Sequence, residues 1–344
     1  MNNDQYFLHF ANCIPVKGHT KGVLVDLQHG RMLPIPLLLL EVLEKCKKHT
    51  IAEVKASFNH ELDEGIDSYL GMLQENLWGF VTEDPHLFPA LSLDWDHPCL
   101  ISNVVLDVGD FDVQAAFDKI VHLAPQALLI RAYKSVDVGE LAQWLKTLDN
   151  SRIFSLQLML PWEGEEHAQA LVKLVYEHPR LNSIVLHSAP ETKYLDGRDE
   201  FTEGIALLTE DRLHPQSPEQ YQLENLLVDI AAFTEAQEHN LGLNRKLSID
   251  SQGFIKNHVL HKQSFGHIDE VEDLSKIVAS PAFQRIWNIS HDQVETCKDC
   301  EFRYCCVDFD ELEEKDGNMH RIGACGYDPY SGHWHSQPER SLTT

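Results

Sequence analysis

ISNVVLDVGDFDVQAAFDKIVHLAPQALLIR, residues 101–131, is the stretch on which the fold turns. Ile101 to Asp107 is a short run rich in branched apolar residues, which is strand chemistry. From Val113 to Leu123 the apolar residues recur at helical spacing, as Val113, Phe117, Ile120 and Val121. Leu128 to Arg131 returns to a strand. A strand, a crossover helix and a second strand place the two strands parallel and side by side. The alternation continues with a helix over 138–148, a strand over 154–160, a helix over 165–177 and a strand over 183–187. Gly204 to Leu208 and Leu223 to Val228 offer one or two further units. The expectation is an α/β protein whose middle domain, residues 99–245, is a partial (β/α) barrel rather than eight clean repeats.

Upstream, residues 1–85 read as a small α+β unit. Gly22 to Leu27 and Met32 to Ile35 suit a hairpin turning at His29-Gly30-Arg31. Pro36 then suits the first turn of a helix running to Cys46. Thr50 can cap a second helix over 51–58, and a third spans 64–76 before a strand over 77–82. Strands, three helices and a closing strand make a winged-helix-like order. Glu83 to Cys99, with Pro85, Pro89 and Pro98, reads as a linker. Downstream, residues 246–335 are irregular: a hairpin over 246–256, short helices over 273–277 and 280–287, then a cysteine cluster, with a tail over 336–344. Such a segment buries little apolar surface by itself, so a metal staple is physically sensible.

Five of the eight cysteines lie between Cys297 and Cys325. Cys297-Lys-Asp-Cys300 is a natural chelate, and Cys306 (or its neighbour Cys305) and Cys325 supply the third and fourth thiols. Four thiolates suit tetrahedral zinc or an iron–sulfur cluster. Disulfides are the alternative, which the scattered Cys13, Cys46 and Cys99 and the absence of a secretory signal disfavour. The segment MNNDQYFLHF has no basic start and no small-residue cleavage site, so a cytoplasmic location is expected, where thiols stay reduced. Leu37 to Leu40 is far too short to span a bilayer, and no membrane partner is expected. A net charge of −26, from 54 acidic and 28 basic residues, argues against a nucleic-acid partner, because phosphate neutralisation needs clustered Lys and Arg.

Gly253 after Ile249-Asp250, then Phe265-Gly266-His267-Ile268, Phe283-x-x-x-Trp287, the Cys297/Cys300 pair and Cys325-Gly-Tyr-Asp-Pro329 together resemble a SPASM domain, the C-terminal cluster module of radical-SAM peptide-maturing enzymes. Asn244 to Asp250, Cys297-Lys-Asp-Cys300-Glu-Phe-Arg-Tyr304 and Tyr327-Asp-Pro-Tyr330 resemble most closely the SPASM-domain maturases of grasp-with-spasm systems, which accompany an ATP-grasp ligase acting on a ribosomal peptide. The likeness is sharp over residues 233–334 and faint upstream. It implies one [4Fe–4S] cluster on Cys297, Cys300, Cys306 and Cys325, with Cys305 as neighbour rather than ligand and zinc as the rival metal. The family's second ligand set is missing: His258 stands near an early cysteine position, and Asp310 follows Cys306 after three residues where another cysteine belongs.

The barrel departs further. Radical-SAM enzymes hold a second cluster on CxxxCxxC after the first barrel strand, and here that loop reads Val108-Gly-Asp-Phe-Asp-Val113 without a cysteine. Cleavage of S-adenosylmethionine is therefore not expected. The implied function is recognition of a precursor peptide through the N-terminal domain, in concert with an ATP-grasp ligase. The alternatives are a maturase that uses the remaining cluster itself, or a zinc-stapled adaptor. Edge pairing to 22–27 or 32–35, walled by helix 37–47 or 64–74, is the expected mode of peptide binding. The acidic run Asp308 to Asp316 reads as a solvated loop, and Glu163-Gly-Glu-Glu166 as a helix start. No acid/base pair stands out, and the 20 histidines lack ligand spacing apart from His333-Trp-His335.

Overall fold

The computed structural model describes residues 3–149, 151–195, 205–215 and 226–335. Two compact units emerge: Met1–Asp96 with Tyr221–Gly242 and Asn288–Thr344, and His97–Gln220 with Leu243–Trp287. The irregular C-terminal hundred residues are thus shared between the units. Up to Trp287 they belong with the parallel strands, and from Asn288 they belong with the N-terminal elements.

The first unit begins with β1 (Tyr6–His9), β2 (Cys13–Lys17), β3 (Gly22–Asp26) and β4 (Arg31–Ile35), followed by α1 (Leu37–Cys46), α2 (Ile51–Ser57), α3 (Asp63–Glu75) and β5 (Gly79–Thr82). α2 starts on a full capping box: the Thr50 hydroxyl accepts from the Glu53 N–H, and the Glu53 carboxylate accepts from the Thr50 N–H. β1 pairs antiparallel with β5, and β2, β3 and β4 form a second sheet in that order. β3 is therefore central and has no free edge, unlike the expectation that either hairpin strand could offer one. The partner that takes its edge, β2, is hard to see in sequence because Pro15 interrupts it. Pro15 is tolerated because β2 is the outer strand and need not donate on that side.

β3 is buried on both faces, which explains why Gly22-Val-Leu-Val-Asp26 carries no polar alternation. Leu24 packs with Leu39, Leu43 and Leu70 of the helical layer. Val23 and Val25 pack on the other side with Phe233, Phe302, Cys305 and Tyr327. The stretch expected to be a linker joins the same cluster through Leu91 and Leu93.

The second unit is a mixed α/β body around one large sheet. Its elements are β6 (Asn103–Asp107), α4 (Val113–His122), β7 (Ala127–Arg131), α5 (Val138–Leu148), β8 (Ser155–Pro161), α6 (Glu165–Glu177), β9 (Leu181–His187), β10 (Lys193–Tyr194) and β11 (Ile205–Leu208). α7 (Ile230–Glu235) returns to the first unit, after which β12 (Lys246–Ile249), β13 (Ile255–Lys256), α8 (Leu274–Val278) and α9 (Pro281–Gln284) complete the second. The sheet order is β10-β11-β9-β8-β7-β6-β12-β13, with the six inner strands parallel and the two outermost antiparallel. The hairpin read over 246–256 is present, but its first strand extends this sheet by pairing Leu247 with Val104 and Ile249 with Leu106. The strand read over 223–228 lies partly outside the described residues; within it, Leu226 makes an isolated bridge to Cys306. Among the described residues no helix is long and apolar enough to cross a membrane.

Candidate metal centre

The cysteine-rich segment lies in the first unit and is stitched to the β2–β3 turn. His19 N–H donates to the Asp299 carbonyl at 2.8 Å, and the Arg303 guanidinium to the Lys17 carbonyl at 2.7 Å. The Thr20 hydroxyl donates to the Pro329 carbonyl at 3.1 Å, and Lys21 Nζ to that of Gly332 at 2.9 Å. Two short hairpins follow, β14 (Leu312–Lys315) with β15 (Asn318–Arg321) and β16 (Tyr327–Asp328) with β17 (His333–Trp334). Tyr327 meets Phe302 edge-on at 5.0 Å and lies tilted against Trp334 at 5.0 Å, and its hydroxyl donates to the buried Glu301 carboxylate.

Cys297, Cys300 and Cys306 are half-buried and Cys325 is exposed. Burial pushes the Cys297 thiol up to about 12, and the charge of Asp308 adds to it. Burial also pushes Cys300 up to about 12, against a backbone N–H from Phe302 that lowers it. Cys306 is raised well above the ordinary thiol value by burial, then by Asp308, Cys300, Cys297 and Cys325. The four thiols therefore share one electrostatic neighbourhood. Cys305 does not belong to it in the same way: it sits in the apolar cluster of Val23, Val25, Phe302 and Tyr327, raised to about 12 by burial and then by Asp229.

Two of the four sulfurs sit in matching turns. Phe302 N–H donates to Cys300 Sγ and Tyr327 N–H to Cys325 Sγ, each at 3.4 Å and each from two residues downstream. Backbone donors aimed at sulfur stabilise a thiolate, as required of a ligand. Among the described residues, no group of three or more His, Cys, Asp or Glu side chains is drawn together tightly enough to hold a single metal ion. Tetrahedral zinc would need its sulfurs only about 3.8 Å apart, from a Zn–S length of about 2.3 Å. A cubane of four irons holds its thiolates farther apart. The donor set, four cysteine thiols of which Cys297, Cys300 and Cys306 are raised chiefly by burial and further by neighbouring charge, suits a multiply charged cationic group whose binding would reverse these three shifts.

The start of the acidic run after the cysteines is not the solvated loop expected of it. Asp308 is buried, and Arg321 Nε lies 2.5 Å from its carboxylate. The same guanidinium reaches Asp308 Oδ1 at 3.0 Å and also Asp310 Oδ2. Asp310, where the resemblance led to the expectation of a cysteine, is thus part of an ion-pair network whose cation, Arg321, comes from a later hairpin. His258, the other substituted position, is buried in the second unit beside His261, with ring centroids 5.6 Å apart. In the tail, His333 Nδ1 donates to the Ser331 carbonyl at 2.6 Å.

Sequence reading nominated no acid/base pair; what the second unit gathers at the carboxyl ends of its parallel strands is a set of buried ion pairs. Arg131, ending β7, clamps Asp107, ending β6, through Nε at 2.5 Å and a second nitrogen at 3.0 Å. Tyr133 donates to the same carboxylate at 3.2 Å. Burial raises the Asp107 pKa, opposed by Arg131 and then Tyr133. Lys256 pairs with Asp250 at 2.7 Å, and His187 Nε2 donates to the Ala132 carbonyl at 3.0 Å. The loop after β6 closes over this edge: a Cβ on Gly109 would sit 1.8 Å from the Ser251 carbonyl oxygen, so only glycine fits there. Nothing in sequence linked Asp107 with Arg131, which are brought together by parallel register alone.

No family model matches the chain, and no curated protein matches it. Among solved structures it is similar to the crystal structure of Streptococcus suis SuiB, at 10% identity, covering 89% of this chain and 94% of that one with a TM-score of 0.31. A score of 0.31 lies below what a shared fold requires.

Proposed function

We propose that the chain is a SPASM-type protein of ribosomal-peptide maturation that carries one [4Fe–4S] cluster on Cys297, Cys300, Cys306 and Cys325. It binds a precursor peptide and works with an ATP-grasp ligase, without cleaving S-adenosylmethionine. The observation that carries the reading is the shared neighbourhood of these four thiols, two of them receiving backbone N–H donors. When bound, the cluster would supply a structural staple and an electron-accepting centre; the chain's residues orient its ligands.

Two features support the absence of sulfonium chemistry. The loop after β6 has no thiol, and Gly109 is pressed against Ser251. The ion pair of Asp107 and Arg131 is satisfied within the protein. For the peptide, β4 remains the outer strand beside which a leader segment could add, with Arg31 reaching the end of α3 at the Asn76 and Leu77 carbonyls.

Anaerobic purification tests the cofactor: a brown protein with iron and inorganic sulfide in equal amounts is expected, and stoichiometric zinc without iron defeats the assignment. Incubation with S-adenosylmethionine and a reductant should yield no 5′-deoxyadenosine. Pull-down of an ATP-grasp enzyme and a short peptide encoded beside this chain tests the partners; their absence from the neighbourhood sinks that part of the reading.

A further inference from the structure

The four thiols are unequal in a way that follows from the chain path. Three come from one continuous segment, residues 297–306, tied down by hydrogen bonds to the β2–β3 turn. The fourth, Cys325, is exposed and lies on the loop joining β15 to β16. That loop is fastened at its start by Arg321, whose guanidinium is a tenth exposed and bridges Asp308 and Asp310 just beyond Cys306. Gly323 presses on the same carboxylate: a Cβ there would meet Asp310 Oδ2 at 2.3 Å, so the loop approaches the acidic segment as closely as backbone allows. The loop thus has one anchored end, next to Cys306, and carries its thiol at the solvent face.

Resting on the cluster reading above, we propose that Cys325 is the exchangeable ligand, closing the metal site last and opening it first, and that Arg321 is the positioning residue that latches its loop. The three thiols of 297–306 belong to one continuous segment that hydrogen bonds hold to the β2–β3 turn. Cys325 joins it only while the ion pairs hold the loop against Asp308 and Asp310. A group that must reach or leave the metal, whether a chelator or an incoming iron carrier with thiol ligands, then does so at the Cys325 corner.

The test uses the full-length holoprotein, purified anaerobically and challenged with an iron chelator in the presence of iodoacetamide. Each thiolate that is freed attacks the reagent carbon, forming a C–S bond and releasing iodide. Peptide mass spectrometry then gives a labelling rate for every cysteine. Cys325 should be labelled first, with Cys297, Cys300 and Cys306 following only as metal is lost. Arg321→Gln should speed Cys325 labelling by about tenfold or more, the scale of lost outer-shell support, without changing the order. Arg321→Lys, which keeps the charge, should recover part of the difference. Simultaneous labelling of all four thiols, or Cys297 or Cys306 first, overturns the inference. Zinc in place of iron and sulfide defeats the cluster reading while the labelling order still decides the latch. A protein with no bound metal defeats both.

Discussion

The carboxyl edge of the parallel sheet and the cysteine-rich loop are both buried polar clusters, and they are balanced in opposite ways. At the sheet edge, Asp107 has Arg131 and Tyr133, and Asp250 has Lys256, so charges and donors are matched inside the protein. In the loop, three half-buried thiols repel one another's ionised forms, and Asp308 adds to the same sign. The first cluster is complete as folded. In the second, Arg321 pairs with Asp308 and Asp310 and lowers the Cys297 thiol, and on the reading proposed above a bound cluster supplies the remaining positive charge. Position in the fold would have suggested the reverse, since carboxyl strand ends are where α/β proteins ordinarily do chemistry.

On the proposed cluster reading, removing the bound group should show the largest effect. Cys306→Ser, or chelation, is expected to open the cysteine-rich segment at a cost comparable with a domain's whole stability, about 5–15 kcal/mol. Because Val23 and Val25 share a cluster with Phe302 and Tyr327, their amides should lose hydrogen-exchange protection as well. Unchanged protection in β3 would break the comparison, leaving the loop as balanced as the sheet edge.

Next comes the sheet edge. Arg131→Leu leaves Asp107 buried without its partner and should cost about 3–5 kcal/mol in urea unfolding. Adding Asp107→Leu should restore much of that loss. If the double variant is as unstable as the single, the pair is not self-contained.

Asp26 sharpens the contrast inside the first unit, where a buried carboxylate is satisfied without any bound group. Burial alone would raise its pKa, but donors from Arg31 and His29 and the backbone N–H groups of His29 and Gln28 hold it at about 2. With an unfolded value of about 3.9, this amounts to about 2.6 kcal/mol of stability at neutral pH. The contribution is full above about pH 4 and is lost as pH falls through about 2. Asp26→Asn should therefore flatten the acid limb of the stability–pH curve between those values; an unchanged limb removes Asp26 as its source. The smallest effect belongs to the α2 cap, where Thr50→Ala should cost about 1 kcal/mol and leave the metal content untouched.

What could be read from the chain was whatever depends on neighbours within a few residues. α1 to α6 and β6 to β9 lie where apolar spacing put them, because a helix face or a short apolar strand is written in consecutive residues. The Cys297/Cys300 pair was legible for the same reason. β1 and β2 were missed: one is four residues long and the other holds a proline, so neither carries a periodic signal.

Pairings between distant segments were decided by tertiary structure alone. Ser248 lies beside Val105, Arg131 reaches Asp107, and Arg321 reaches Asp308 and Asp310. Each contact joins residues whose spacing along the chain has no bearing on their chemistry. The same holds for β3: its sequence announced an apolar strand, but only packing of α1 on one side and Phe302 and Tyr327 on the other showed that both faces are core. Local periodicity records that a surface must be buried. It does not record what buries it, because loop closure over long separations depends weakly on length and leaves many partners open.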